Sequence, residues 1–156
     1  MPAGANISDS VQCSDTVGAV LTAEHMGVPA TALSQAYLNR GGINLAPVSA
    51  WGERVIRALW QAAQACCWNV NFPACEAEAV SEMRWARQFT GSIQRTQLLA
   101  GQDGRNLPYW WLGFECSPRH IVAPDSDVVV LRDNAIAVTP LRNEAGLPGG
   151  VTKVVL

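Results

Sequence analysis

Cys116-Ser-Pro-Arg-His120 is the stretch of this chain that comes nearest to a metal-ligand motif. A Cys-x3-His spacing could furnish part of a tetrahedral zinc site, with Cys67 and Cys75 as further ligands. The second pair is too widely spaced and straddles an expected helix start, so neither a metal nor a cofactor is expected. Cys66, Cys67 and Cys75 then read as small core residues at a helix junction, and His120 as a loop residue. Five cysteines make an odd count, which favours reduced thiols over a disulfide framework. The histidines are two, His25 and His120. The chain lacks a G-x-S-x-G elbow, a Walker-type phosphate loop and an H-E-x-x-H helix, so no catalytic residue is assigned and an enzyme is not expected. Asp125, Asp127 and Asp133 read as turn formers, and Glu76, Glu78 and Glu82 as a solvated helix face with Arg84 and Arg87 for partners.

Residues 22 to 35, TAEHMGVPATALSQ, resemble the helix-turn-helix unit of bacterial repressors. Ala23 is the small residue at the helix crossing, Gly27 makes the turn, and Val28 and Leu33 lock the second helix. The resemblance implies that Thr31, Ser34 and Gln35 would contact bases and Arg40 a phosphate. The charges between residues 12 and 42 are Asp15, Glu24 and Arg40, whereas phosphate contact supplies most of the affinity for DNA. DNA binding is therefore the alternative reading, and nucleic acid is not an expected partner.

The elements that would position these residues divide the chain in two. Residues 15 to 26 form an expected helix that starts on Asp15 and stops at Gly27, and Pro29 opens a second through Leu38. A long amphipathic helix follows at 48 to 67, with Glu53, Arg54, Arg57, Gln61 and Gln64 as its polar stripe. Trp51, Val55, Ile56, Leu59, Trp60, Ala63 and Cys67 fill its apolar face. Another helix is expected at 74 to 89. After Gly91 the pattern changes to strands: a pair flanking the Gly101–Gly104 turn, then a hairpin of residues 128 to 131 and 135 to 138 around Asp133-Asn134. The fold class is α+β, an N-terminal group of about four helices packed on a C-terminal antiparallel sheet within one domain. Residues 1–14 form an N-terminal arm, 15–90 the helical part, 91–141 the β part and 142–156 a C-terminal arm.

Charged residues are 15% of the chain and hydrophobic ones 49%, with a net charge of −2. A soluble domain usually carries about a quarter charged residues, so part of the surface is expected to be covered by a partner. Ten arginines against a single lysine, Lys153, and six tryptophans suit protein interfaces. Adjacent Trp110 and Trp111 in a strand point to opposite sides, so one ring must lie outside the fold. Trp110, Trp111, Val151, Lys153 and Val155 are the interface candidates, the last three on a terminal strand with no adjacent partner. No apolar run approaches the length of a membrane span, and no leader segment is apparent, so the chain is expected to be cytoplasmic at synthesis. These features point to a non-enzymatic structural subunit, homo-oligomeric or joined to neighbouring assembly proteins, of the kind found in a tailed-bacteriophage virion at the head-to-tail joint or tail.

Overall fold

A computed structural model of the chain describes residues 4–39, 41–62, 67–90, 93–116 and 123–141. Helix α1 (Asp15–His25) leads to strand β1 (Thr31–Gln35), helix α2 (Ala46–Ala62), strand β2 (Cys67–Phe72) and the short strand β3 (Met83–Trp85). Strands β4 (Ile93–Gln102) and β5 (Pro108–Cys116) follow, then helix α3 (Asp127–Arg132) and strand β6 (Ile136–Leu141). The main sheet has the order β1-β2-β6-β3, in which β1 runs parallel to β2, β6 antiparallel to β2, and β3 parallel to β6. Strands β4 and β5 form a separate antiparallel ribbon.

β2 explains why this sheet has two covered faces. All six of its residues, CWNVNF, are buried, and their side chains alternate sides. Trp68, Val70 and Phe72 point to the face covered by α2, where they meet Val55, Leu59, Ile136 and Val138, and Trp68 stacks on Trp85 with ring centroids 5.2 Å apart. Cys67, Asn69 and Asn71 point to the other face. There α1 supplies Val17 and Val20 beside Ala32, Cys67 and Leu141, while α3 supplies Val128, Val130 and Leu131 beside Ile7 and Ala137. Between those two apolar clusters runs a polar seam.

The sequence expectation of helices packed on an antiparallel sheet is corrected to a mixed α/β sheet with two parallel pairings among its three. α1 and most of the long amphipathic helix are as expected, but α2 ends by Ala62 and the chain re-emerges as β2. Ile56 and Trp60, assigned to its apolar face, are 43% and 54% exposed, because the buried stripe is the narrower Val48, Gly52, Val55, Leu59 row. Residues 29 to 38 contain β1 and not a second helix, and alternate residues of β1 are buried. The expected helix over 74 to 89 is a single 3-10 turn, Ala77–Ala79, followed by β3. VVVL at 128 to 131 is helical because Ser126 caps it, its side chain accepting the Val129 N–H at 3.3 Å. Residues Gly4–Cys13 contain Ile7, Ser8 and Val11, all buried. Residues 142–156, with Val151, Lys153 and Val155, lie outside the described residues, as do Arg40, Cys66 and His120.

Asp127, the first residue of α3, fastens three parts of the chain together. Its Oδ2 accepts the Ser8 N–H at 2.7 Å, and its Oδ1 accepts those of Phe89 at 3.2 Å and Val128 at 2.8 Å. Ser8 stands at φ 57°, a left-handed conformation that non-glycine residues adopt rarely, so this bond holds a strained residue in place. Burial raises the Asp127 carboxyl above its ordinary value; the three N–H bonds pull it down and the charge of Asp9 pushes it up again. Folding thus favours the protonated form, and this side chain's contribution to stability is fullest in acid and declines as pH rises through the raised value.

Asp127→Ala should cost about 3 kcal/mol in urea unfolding, since it leaves buried N–H donors unpaired. The advantage of the wild type over Asp127→Asn should be largest in acid and shrink as pH rises; a difference that grows with pH would contradict the assignment. Leu59→Ala should cost about 2–5 kcal/mol, whereas Trp60→Ala should stay within about 0.5 kcal/mol by the same measurement.

Candidate functional site

In open α/β sheets ligands bind outside the carboxyl ends of the strands, where loops carry the polar groups. Here the segment Gly4–Cys13 lies over the face of β1 and β2 that carries Ser34, Asn69 and Asn71, and it begins beside Gln35 at the end of β1. Gly4 begins it at φ 77°, and a Cβ there would collide with the Tyr37 ring and the Gln35 carbonyl, so only glycine allows this close an approach.

Asn6 is the centre of the seam. Its N–H donates to Asn71 Oδ1 at 2.7 Å and its Nδ2 to Ser34 Oγ at 2.6 Å. Its carbonyl accepts Asn69 Nδ2 at 2.7 Å and Asn71 Nδ2 at 3.1 Å, and Asn71 Nδ2 also reaches Asn69 Oδ1 at 3.3 Å. Asn69 and Asn71 are buried, so these bonds offset the cost of removing their amides from water. Thr139, opposite Asn69 in the sheet, has a buried Oγ1 with no partner among the described residues, and so does Oε1 of Gln35. Gln88 Nε2 donates to the Ser8 carbonyl at 2.9 Å, and Asp9 Oδ2 accepts the Ile93 N–H at 3.0 Å. Ser14 then caps α1 by accepting the Val17 N–H at 3.2 Å. Asp15 puts a negative charge in the first turn of α1, where the helix dipole would otherwise favour an anion.

This arrangement orients the Gly4–Cys13 loop, and the Asn69 and Asn71 amides and the Ser34 hydroxyl are buried and used to hold it. It holds no evident nucleophile. The Cys67 thiol is buried and points at the Val28 carbonyl at 3.6 Å, and burial first, then the neighbouring Glu76, pushes the Cys75 thiol up, which keeps it protonated. Among the described residues no three His, Cys, Asp or Glu side chains gather as metal ligands. Cys116 closes β5, far in sequence from Cys67 and Cys75, and its proposed partner His120 is outside the described residues.

The residues assigned to base reading are placed in β1, which corrects the helix-turn-helix expectation. Ser34 is buried beneath Asn6, and the Gln35 amide donates to the Ala36 and Pro73 carbonyls at 3.0 and 2.8 Å. Thr31 opens the strand opposite Trp68. A buried strand cannot enter a DNA groove. The seam residues Asn6, Asn69, Asn71 and Asp127 were missed as site residues. The signal for two of them was the strict alternation of Trp68-Asn69-Val70-Asn71-Phe72, a strand with one polar face.

Residues 2–95 match the family model described as "Survival protein SurE". The chain is 38% identical over 143 residues to "5'-nucleotidase SurE 1" of Burkholderia lata, covering 90% of this chain and 55% of that protein. It is 36% identical over 146 residues to "5'-nucleotidase SurE" of Rhizorhabdus wittichii, covering 88% and 56% respectively. The crystal structure of the SurE protein from Aquifex aeolicus superposes with a TM-score of 0.67 at 19% identity, over 93% of this chain and 58% of that one. The chain thus spans about half the length of the curated relatives it matches. Relatives named as enzymes overturn the expectations of a non-enzymatic structural subunit, of a virion component and of a helix-turn-helix regulator. With the family model covering more than half of the residues and the fold matching as well, the chain belongs to the SurE family.

Proposed function

We propose that the protein acts in the hydrolysis of nucleoside 5′-monophosphates, water displacing the nucleoside 5′-oxygen from phosphorus to release nucleoside and inorganic phosphate. The observation that carries this reading is the 36–38% identity to proteins named 5'-nucleotidase across about nine-tenths of the chain. The seam is consistent with it only as support, because a recognition loop needs a backbone fixed by a rigid sheet beneath it. In this reading Asn6 is a positioning residue. It fixes the Gly4–Cys13 segment over Ser34 and Asn71, and so sets the path of the chain into α1.

Phosphate release from nucleoside 5′- and 3′-monophosphates is the direct test. Turnover of the 5′ compounds, with the 3′ isomers left intact, is expected. Asn6→Ala should lower kcat/KM by about tenfold while the protein stays folded by circular dichroism, the loss corresponding to about 1.4 kcal/mol of positioning. A folded protein that releases no phosphate from any 5′ nucleotide sinks the proposal, and equal turnover of the two isomers would replace it with a general phosphatase.

A further inference from the structure

Three of the described non-glycine residues stand at positive φ, and Ser8 is the odd one among them. Asn106 and Asn134 are exposed loop residues of the type that tolerates this backbone, whereas Ser8 is a buried serine at φ 57°. Groups remote in sequence hold both sides of it: Asp127 Oδ2 accepts its N–H at 2.7 Å, and Gln88 Nε2 donates to its carbonyl at 2.9 Å. Ser8 also opens the 3-10 segment Ser8–Cys13 that leads to Ser14, the cap of α1. Ile7, at the cap position of that segment, has an apolar side chain that cannot accept an N–H, so the start of the turn is fixed from outside. The Asp127 carboxyl is not needed to begin its own helix, because Ser126 already caps α3 through the Val129 N–H at 3.3 Å. Nor is it needed to join α3 to the strand before it. The Arg87 N–H donates to the Asp125 carbonyl at 2.8 Å, and the Asp127 N–H to the Arg87 carbonyl at 2.9 Å. Asp127 is 1% exposed, and burying a carboxyl is costly where an apolar side chain would not be. What the carboxyl adds is a second oxygen aimed across the fold at Ser8.

We propose that Asp127 is a positioning residue for the hydrolysis inferred above, acting through Ser8: it holds that residue left-handed and so fixes the course of the Ser8–Cys13 turn into α1. The assignment rests on the reading of the chain as a nucleotidase and gives the loop a second anchor besides Asn6. Asn6 fixes the segment against β1 and β2, and Asp127 fixes the point at which it turns. Without the second anchor Ser8 relaxes toward right-handed backbone, which shifts the turn while the sheet stays in place. Asp9 is the first residue to feel this, since its Oδ2 accepts the Ile93 N–H at 3.0 Å. The chemistry of the side chain separates this role from a general structural one. A carboxyl oxygen accepts the Ser8 N–H whether or not the group is protonated, whereas an amide NH2 cannot accept at all. Asparagine at 127, with its oxygen toward Phe89 and Val128, keeps those two bonds and loses the one to Ser8. Glycine at position 8 takes the left-handed conformation without steric cost, so Ser8→Gly removes the need for the clamp.

Steady-state phosphate release from nucleoside 5′-monophosphates and amide hydrogen exchange, both on the full chain, test this together. Asp127→Asn should lower kcat about tenfold with KM within about twofold, because a displaced turn forfeits interactions made in the transition state. In the Ser8→Gly background the same substitution should cost no more than about threefold. Exchange in Asp127→Asn should speed up over Ser8–Cys13 and stay as in the wild type over α3. Gln88→Leu releases the Ser8 carbonyl without touching Asp127; it should lower kcat in the same way, be relieved by Ser8→Gly, and carry the test if Asp127→Asn does not fold. An equal loss in the two backgrounds overturns the proposal, and so does exchange that rises in α3 and not in the turn. A wild type that releases no phosphate defeats the nucleotidase reading, and the exchange pattern then decides alone whether Asp127 fixes the turn.

Discussion

The carbonyl and amide of Asn6, held by two buried asparagines of β2, are the contact on which the rest of this arrangement depends. A polar backbone segment has been laid across the face of a sheet, where water cannot reach all of it. Such a segment is stable only if each buried donor and acceptor finds a partner. Asn69 and Asn71 provide those partners from one strand, Ser34 from the next, and Asp127 completes the set at Ser8. The apolar clusters on either side then close against α1 and α3. Removing a partner costs more than the bond it made, because the group left behind remains buried.

That constraint also explains why the two faces of β2 differ in kind. The face under α2 is a continuous hydrocarbon and aromatic layer, which tolerates small shifts in packing as long as volume is kept. The opposite face is fixed in register by directional bonds, and a slip of one residue would put Trp68 and Val70 where Asn69 and Asn71 now meet Asn6. Both faces bury apolar clusters, and the second adds the directional bonds that set the position of the loop. A site built on the second face inherits its precision from the strand beneath it, which is the arrangement a recognition surface needs.

Legibility in the sequence followed how local the deciding interaction was. α1 and the body of α2 were readable because their apolar residues recur at helical spacing, and α1 also carries end signals, whereas the end of α2 before β2 was not read. The β4–β5 ribbon was readable from its turn residues and its aromatic run. α3 was not, since Val128, Val129 and Val130 favour a strand in isolation, and what makes them helical is the Ser126 cap together with the pull of Asp127 on Ser8 and Phe89, distant in sequence. β1 was misread for a related reason. Pro29 and the small residues after it suit a helix start, but their alternate burial against β2 is a tertiary outcome. Asn6 lay inside what read as an arm. Nothing near it in the chain announces that its partners sit some sixty-five residues away.

The scarcity of charge, first read as a sign of an assembly subunit, has a more local meaning in this fold. Much of the uncovered apolar surface is concentrated on one ribbon, where Leu98, Leu99, Trp110, Trp111 and Leu112 stand clear of the sheet. The body carries charged pairs on its surface, such as Glu53–Arg57 at 2.7 Å and Arg87–Asp125 at 3.0 Å, but it also exposes scattered apolar side chains such as Met26, Leu38 and Trp60. An average over the whole chain merges these two regions and suggests a uniformly sticky surface. Resolved along the sequence, the described residues show a sheet with scattered exposed apolar side chains and one ribbon on which they are contiguous. The tryptophans divide accordingly. Trp68 and Trp85 stack in the core, while Trp110 and Trp111 face out on opposite sides of one strand, as the alternation of any β-strand requires.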